Sequence, residues 1–89
     1  MASYSSPGNR LRAERESLGL TMQQLADFAT RLNSRISAKT ISRVESGQGT
    51  FARVTFSRLL LAMNSARTQA GLPPLKESDL FPIIKPGKN

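Results

Sequence analysis

The chain has 89 residues and a formal net charge of +7, with neither cysteine nor histidine. This length suits one small domain. The absence of cysteine and histidine excludes disulfides, thiolate nucleophiles, Cys/His zinc sites and the usual general base. The excess of 13 Lys and Arg over 6 Asp and Glu favours nucleic acid as the partner, with an anionic membrane second. No apolar run approaches the roughly 20 residues of a bilayer span, and the first residues lack the apolar segment of a signal peptide. We therefore expect a cytoplasmic, nucleoid-associated protein with no membrane contact, no cofactor and no metal.

The first predicted helix covers about residues 7–18. Ser6 and Pro7 are residue types preferred at an N-cap and at the first helical position, and Gly19 is the type preferred just after a helix end. Residues 1–6 are expected to form a flexible leader outside the domain.

The second predicted helix begins after Thr21. Thr21 and Gln24 have the spacing of a capping box, in which each side chain binds the backbone N–H of the other residue. Apolar residues at helical spacing extend this helix to about Leu32, which we expect to be buried. Asn33 and Ser34 then supply a turn.

The third predicted helix covers residues 38–46. Ser37 is its N-cap, and Ile36 before the cap is placed to pack against Ile41 in the first turns. Gly47 follows the predicted end of the helix.

The fourth predicted helix covers about residues 56–69. Thr55 is predicted as its N-cap, and Val54 is placed to pack against Leu59. Gly71 and the two prolines after it end the helix.

The C-terminal tail, residues 72–89, contains a short helical turn predicted around residues 78–81 and then an extended segment. Its apolar residues are more numerous than a loose terminus should expose, and two interpretations stay open. They form the interface of a twofold dimer, or they close the core beneath the fourth helix. These residues are Leu72, Leu80, Phe81, Ile83 and Ile84. With its helices in residues 7–71 and a turn in the tail, the sequence predicts a compact all-α domain of four or five helices.

One side of the third helix is basic. When Ile41 faces the core, Lys39, Arg43 and Ser46 cluster on the opposite side at 100° per residue, with Ser42 at their edge. A solvated outer face would look the same, but basic residues are concentrated around this helix and oppose a single acid. They are Arg31, Arg35, Lys39, Arg43, Arg53 and Arg58, against Glu45. A capped helix, a turn and a second short helix also form a helix-turn-helix, whose second helix can enter the major groove of DNA.

Two stretches carry a family resemblance: RLRAERESLGLTMQQLA at residues 10–26 and ISAKTISRVESG at residues 36–47. They resemble the lambda-repressor-like (Cro/phage repressor, XRE) helix-turn-helix family, over about residues 8–64. The run TISRVESG is the most specific part. The resemblance implies a lambda-repressor-like fold that binds DNA through the third helix.

The resemblance also implies roles for individual residues. Arg43 and Lys39 are expected to bind guanine, and Ala38 to touch a thymine methyl group. The residues assigned to bases are Ala38, Lys39, Ser42 and Arg43. The residues assigned to phosphates are Thr21, Gln23, Arg31, Arg35, Ser37, Thr40, Ser46, Gln48, Thr50 and Arg53. Glu45 matches an inward Glu that pairs with Arg15, so both are assigned to structure, and Arg58 stays open between a phosphate contact and a solvated charge.

The chain departs from the family pattern in two places. Between Ala26 and Ile41 it has several more residues than the family usually has, with no glycine in the turn, which predicts an extra turn of the second helix and a longer loop. Met22 stands where the family often has a phosphate-binding Gln. We therefore expect Met22 in the core and Gln23 or the backbone at the phosphate.

The resulting hypothesis is a non-enzymatic, sequence-specific regulator of transcription. A homodimer would bind an inverted-repeat, palindromic operator in double-stranded DNA and repress its own promoter in a phage, plasmid or other mobile element. Two alternatives stay open: an antitoxin whose tail grips a toxin, and a protein-interaction or anti-activator module in which the basic face plays no part. An enzyme is disfavoured because nothing in the sequence indicates a buried base or an enclosing pocket.

Overall fold

The computed structural model describes residues 2–87, and these form an all-α domain with one very small β-sheet. In chain order the elements are β1 (Tyr4–Ser5), α1 (Leu11–Ser17), α2 (Met22–Arg31), α3 (Ala38–Glu45), α4 (Arg53–Gln69), α5 (Glu77–Leu80) and β2 (Lys85–Pro86). The ends of the predicted leader and tail, residue 1 and residues 88–89, lie outside the described residues. None of the helices in the described part of the chain has the length and apolar character needed to cross a membrane.

The helices surround one apolar core, which confirms the predicted all-α class. α4 packs against α2 and α5, and α3 packs against α2 and α1. Phe56 of α4 is completely buried and makes edge-to-face contacts with Phe51 and Phe81, whose ring centroids lie 6.1 and 5.1 Å away. Such aromatic contacts add to the stabilisation that burial alone provides. Other completely buried side chains are Leu11, Leu25, Ile41, Leu59, Met63 and Leu80.

α2 and α3 begin where the capping signals predict. Thr21 Oγ1 accepts a hydrogen bond from the backbone N–H of Gln24 at 3.1 Å, and Gln24 Oε1 accepts one from the N–H of Thr21 at 2.8 Å. The predicted capping box is therefore complete. Ser37 caps α3 by accepting from the N–H of Thr40 at 3.1 Å.

The connection from α2 to α3 turns at Asn33. Its φ of 56° lies in the left-handed region, which Asn adopts more readily than most residues, so the turn needs no glycine. Leu32 follows the end of α2 and is 36% exposed. The prediction that Leu32 is buried is wrong: Leu32 is the C-cap of α2, beyond the last helical residue, and the core does not cover its side chain.

α1 begins at Leu11 and not at Pro7. Pro7 and Gly8 form a turn, and Asn9 Oδ1 accepts a hydrogen bond from the backbone N–H of Leu11 at 3.1 Å. The Asn9 side chain thus satisfies a donor at the start of the helix, so the helical bonds begin only after the turn. Ser6, predicted as the N-cap, has a buried hydroxyl with no hydrogen-bond partner among the described residues.

α4 begins at Arg53, upstream of the N-cap predicted at Thr55. The Thr55 N–H donates to the Ala52 carbonyl at 2.9 Å, so the first turn is already formed before Thr55. Val54, predicted to pack against Leu59, is 50% exposed. The cap and packing predictions at this helix start are therefore wrong, although the helix ends where predicted.

Residues 4–5 of the predicted leader belong to the domain, so the expectation of a flexible leader is wrong there. β1 pairs with β2 in antiparallel register, with Tyr4 opposite Pro86 and Ser5 opposite Lys85. On its other edge Tyr4 exchanges two backbone hydrogen bonds with Phe51, at 2.8 and 2.7 Å. The N-terminal segment therefore lies between the C-terminal tail and the loop after α3. These partners are far away in sequence, which is why a local pattern does not indicate them.

The apolar tail divides into buried and exposed parts. Leu80 and Phe81 are 0% and 2% exposed and belong to the core, so core closure is the confirmed interpretation for both. Their assignment to a dimer interface is wrong, because burial within the domain already removes both side chains from water. Ile84 is partly buried against the core, whereas Leu72 and Ile83 are 42% and 56% exposed.

Two polar side chains of α4 hold the tail against the helix. Asn64 Nδ2 donates to the Leu75 carbonyl at 3.0 Å, and Asn64 Oδ1 accepts from the Leu75 N–H at 2.7 Å. Arg67 donates to the Pro73 carbonyl at 2.8 Å and to the Glu14 carboxylate at 3.2 Å. The bonds to Pro73 and Leu75 hold the start of the tail against α4, and the bond to Glu14 joins α4 to α1.

Candidate nucleic-acid interface

α3 buries one side and exposes the other. The exposed side carries three of the four residues predicted to contact bases, Lys39, Ser42 and Arg43, which lie together at 100° per residue. The fourth, Ala38, is half-buried at the start of the helix. The opposite side is fixed in the core by Ile41, which is 0% exposed.

The Arg15–Glu45 ion pair predicted to be structural is present and buried. Arg15 Nε and Nη2 donate to the two carboxylate oxygens of Glu45 at 2.6 and 3.1 Å, and Nη1 donates to the Leu20 carbonyl at 2.7 Å. The two side chains are 9% and 3% exposed. The hydrogen bond with Glu45 raises the pKa of the Arg15 guanidinium, although burial opposes this. The pair joins α1 to the end of α3 and balances the acidic charge of α3, which leaves the exposed face of that helix positive.

Asn9 is a second fixture of α3 that the sequence did not single out. Its Nδ2 donates to the carbonyls of Ser6 and Val44, both at 2.8 Å, while its Oδ1 binds the N–H of Leu11. One amide side chain therefore joins the N-terminal segment, the start of α1 and the last turn of α3. An Asn directly after a Pro-Gly turn commonly binds nearby backbone, but the bond to Val44, 35 positions away, has no sequence signature.

We expect Asn9→Ala to lower the free energy of unfolding by about 1–3 kcal/mol, because it leaves partly buried carbonyls and an amide without their partners. Urea unfolding followed by circular dichroism measures the change. Gln23→Ala is the control: Gln23 Nε2 bonds the exposed Asp27 carboxylate at 3.1 Å, and its removal should cost less than about 0.5 kcal/mol. Equal losses in the two variants would show that the Asn9 bonds do not hold α3.

Several hydroxyls predicted at phosphates also form bonds within the domain. Ser37 Oγ donates to Thr40 Oγ1 at 3.0 Å, and Ser46 Oγ donates to the Arg43 carbonyl at 2.6 Å, so both serine protons are engaged. Thr21 Oγ1 and Thr40 Oγ1 act as acceptors in these contacts and keep their own protons. Thr21 and Thr40 therefore each keep a hydroxyl donor that no contact within residues 2–87 uses.

The basic residues around α3 have different surroundings. The guanidinium of the exposed Arg31 lies 4.8 Å from the centroid of the Phe28 ring, at cation–π distance. Arg53 at the start of α4 forms an ion pair with Glu77 of α5, and this hydrogen bond raises the pKa of Arg53. Other exposed side chains of this region have no side-chain hydrogen bond within residues 2–87: Arg35, Gln48, Thr50 and Arg58.

No group of three or more acidic residues lies close enough together in the described part of the chain to hold a metal ion. Comparison of the chain with protein-family models, with curated proteins and with solved structures finds no match in any of the three.

Proposed function

We propose that this chain is a sequence-specific DNA-binding regulator of transcription that inserts α3 into the major groove. The observation that supports this most is the exposed face of Lys39, Ser42 and Arg43 on a short helix whose other side is fixed in the core. An α-helix fits the major groove, which is about 12 Å wide. Arg43 and Lys39 carry the donors that bind guanine O6 and N7, and the hydroxyl of Ser42 can bind other base edges.

We propose a lambda-repressor-like helix-turn-helix fold for α1 to α4. The capped α2, the turn at Asn33 and the capped α3 agree with a motif in which the first helix lies across the DNA backbone and the second reads the groove. The buried pairing of Arg15 with Glu45 agrees with the resemblance in sequence. The first N–H groups of α2 would then bind a phosphate.

The fixation of α3 supports the reading of bases in addition to electrostatic attraction. Base contacts require side chains that are held in a defined register against the groove, because phosphate contacts alone carry no sequence information. The bonds from Arg15 to the Glu45 carboxylate and from Asn9 to the Val44 carbonyl fix the last turn of α3 to the rest of the domain. Little freedom of the helix is then lost on binding.

One recognition helix buries too little surface for useful specificity, so we propose that two copies bind an inverted repeat with half-sites about 34 Å apart. Leu72 and Ile83 are the exposed apolar tail residues that remain available to an interface. Repression follows when the operator overlaps a promoter, and control by the protein's own concentration suits autorepression in a mobile element. Analytical ultracentrifugation with and without the bound duplex measures the number of copies.

The first test is the selection of duplexes from a random library by the purified protein, followed by titration of the selected and an unrelated duplex at about 150 mM salt. We expect the selected duplex to bind roughly 10³-fold or more tightly. Equal binding of both duplexes would contradict sequence-specific recognition and leave the basic face as an electrostatic surface for another partner.

The Arg53–Glu77 ion pair provides a test of phosphate contact. Arg53→Ala should weaken binding to selected and unrelated duplexes alike and reduce the slope of log affinity against log salt by about one. Glu77→Gln should strengthen binding to both duplexes, because it releases Arg53 from its ion pair. Both side chains are partly exposed, so the free energy of unfolding should change by less than about 1 kcal/mol. An unchanged salt slope in Arg53→Ala would remove Arg53 from the interface.

A further inference from the structure

The guanidinium of Arg43 lies against an aromatic ring from the loop that follows α3. Its Cζ is 5.2 Å from the ring centroid of Phe51, within the range of cation–π attraction. Gly49 makes room for this arrangement: a Cβ at that position would lie 3.1 Å from Arg43 Nη2, and its φ of 83° favours glycine. Within residues 2–87 the Arg43 side chain forms neither a hydrogen bond nor an ion pair, so its five N–H donors remain available.

Phe51 is itself held in place from two sides. Its backbone N–H donates to the Tyr4 carbonyl at 2.7 Å, and its carbonyl accepts from the Tyr4 N–H at 2.8 Å. Its ring meets the completely buried ring of Phe56 edge-on, with the centroids 6.1 Å apart. Phe51 therefore contacts the core at Phe56 and the N-terminal strand at Tyr4, and its ring in turn contacts the side chain of Arg43.

We propose that Phe51 is a positioning residue that holds Arg43 in the orientation in which it contacts a base, so that base discrimination by α3 depends on the phenyl ring. This inference rests on the proposed function. An unrestrained Arg side chain samples many rotamers, and ordering it on DNA weakens binding. The ring attracts the cation through its face and supplies no nitrogen or oxygen acceptor to the N–H groups. The donors that guanine O6 and N7 require therefore stay free.

The test measures discrimination at a single base pair. That base pair is the one at which Arg43→Ala loses its preference, within the duplex that the wild-type protein selects from a random library. Phe51→Leu should lower the preference there by roughly 2- to 5-fold, the range expected for an exposed cation–π contact, and leave the other base pairs unchanged. Phe51→Trp should retain the preference, because an indole ring binds cations best. In an Arg43→Ala background, Phe51→Leu should have no further effect.

Three results would overturn the inference alone and leave Phe51 as a structural residue. They are an unchanged preference in Phe51→Leu, an equal loss at every base pair, and the same loss in the Arg43→Ala background. A wild-type protein that selects no sequence would overturn the proposed function and the inference together, so the two failures are distinguishable.

NMR of the free wild-type protein tests the contact between Arg43 and Phe51 directly and does not depend on the folding of any variant. The ring current of Phe51 should shift the side-chain protons of Arg43 upfield, and random-coil shifts would overturn the contact itself.

Discussion

Replacing Glu45 by Ala is expected to lower the free energy of unfolding by about 3–5 kcal/mol, the typical cost of removing one partner of a buried ion pair. The change leaves the Arg15 guanidinium charged at a position where only 9% of the side chain is exposed. The bonds at 2.6 and 3.1 Å are lost, and the Leu20 carbonyl remains as its hydrogen-bond acceptor. A loss of this size is a large share of the roughly 5–15 kcal/mol that stabilises a typical domain. Urea unfolding followed by circular dichroism measures it.

Removing both charges should be much milder than removing one. Arg15→Met combined with Glu45→Leu fills the site with apolar side chains, and buried pairs replaced in this way are often neutral or stabilising. Arg12→Ala is the exposed control, because Arg12 and Glu16 form an ion pair with side chains 70% and 56% exposed, worth less than about 1 kcal/mol. If Glu45→Ala unfolds no more readily than Arg12→Ala, the buried pair does not hold α3 to the domain.

Local signals predicted those parts of the fold in which neighbouring residues decide the structure. The caps at Thr21 and Ser37 belong to this class, since in each the side chain and the N–H that it binds are three positions apart. The division of α3 into a buried and an exposed side likewise follows from the order of its own eight residues. The contact between Arg15 and Glu45 spans 30 positions, and it was expected from the family resemblance and not from local chemistry.

The features that sequence reasoning missed depend on contacts between distant residues. Nothing near Tyr4 indicates that it pairs with Phe51, and nothing near Asn9 indicates its bond to α3. In the sequence, the apolar residues of the tail fit a dimer interface as well as they fit a core. The packing of α5 against α4 places Leu80 in the core. The cap signal at Thr55 failed for a local reason instead: the Thr55 N–H bonds the Ala52 carbonyl, so the first turn of the helix lies upstream of Thr55.

The same distinction applies to the candidate interface. Helical spacing was sufficient to place Lys39 and Arg43 on one exposed face, because their positions depend only on α3. The ring beneath Arg43 comes from a loop whose conformation depends on the N-terminal strand, and so the sequence indicated the basic residues but not what holds them. Charge can be read from the sequence, whereas the geometry that turns charge into base discrimination depends on the tertiary structure.

Arg43→Ala is expected to reduce the preference for the selected base pair by about 1–3 kcal/mol, because the bidentate contact with guanine O6 and N7 is lost. Unrelated duplexes should lose only the attraction of one charge, so the two affinities converge. Titration of the selected duplex and of its single-base-pair variants measures the preference. Thermal unfolding of the variant checks the fold, which should be little changed because Arg43 is exposed.

Arg43→Lys separates the charge of this side chain from its geometry. Lysine keeps the positive charge but has no planar fork, so affinity for unrelated DNA should be retained while base discrimination falls. Arg12→Ala removes a charge from α1 and should leave discrimination unchanged. An unchanged preference in Arg43→Ala would contradict its role in recognition and assign the base contact to Lys39 or Ser42. Discrimination retained by Arg43→Lys would show that a cation at this position is sufficient, in which case the ring of Phe51 positions a charge and not a fork.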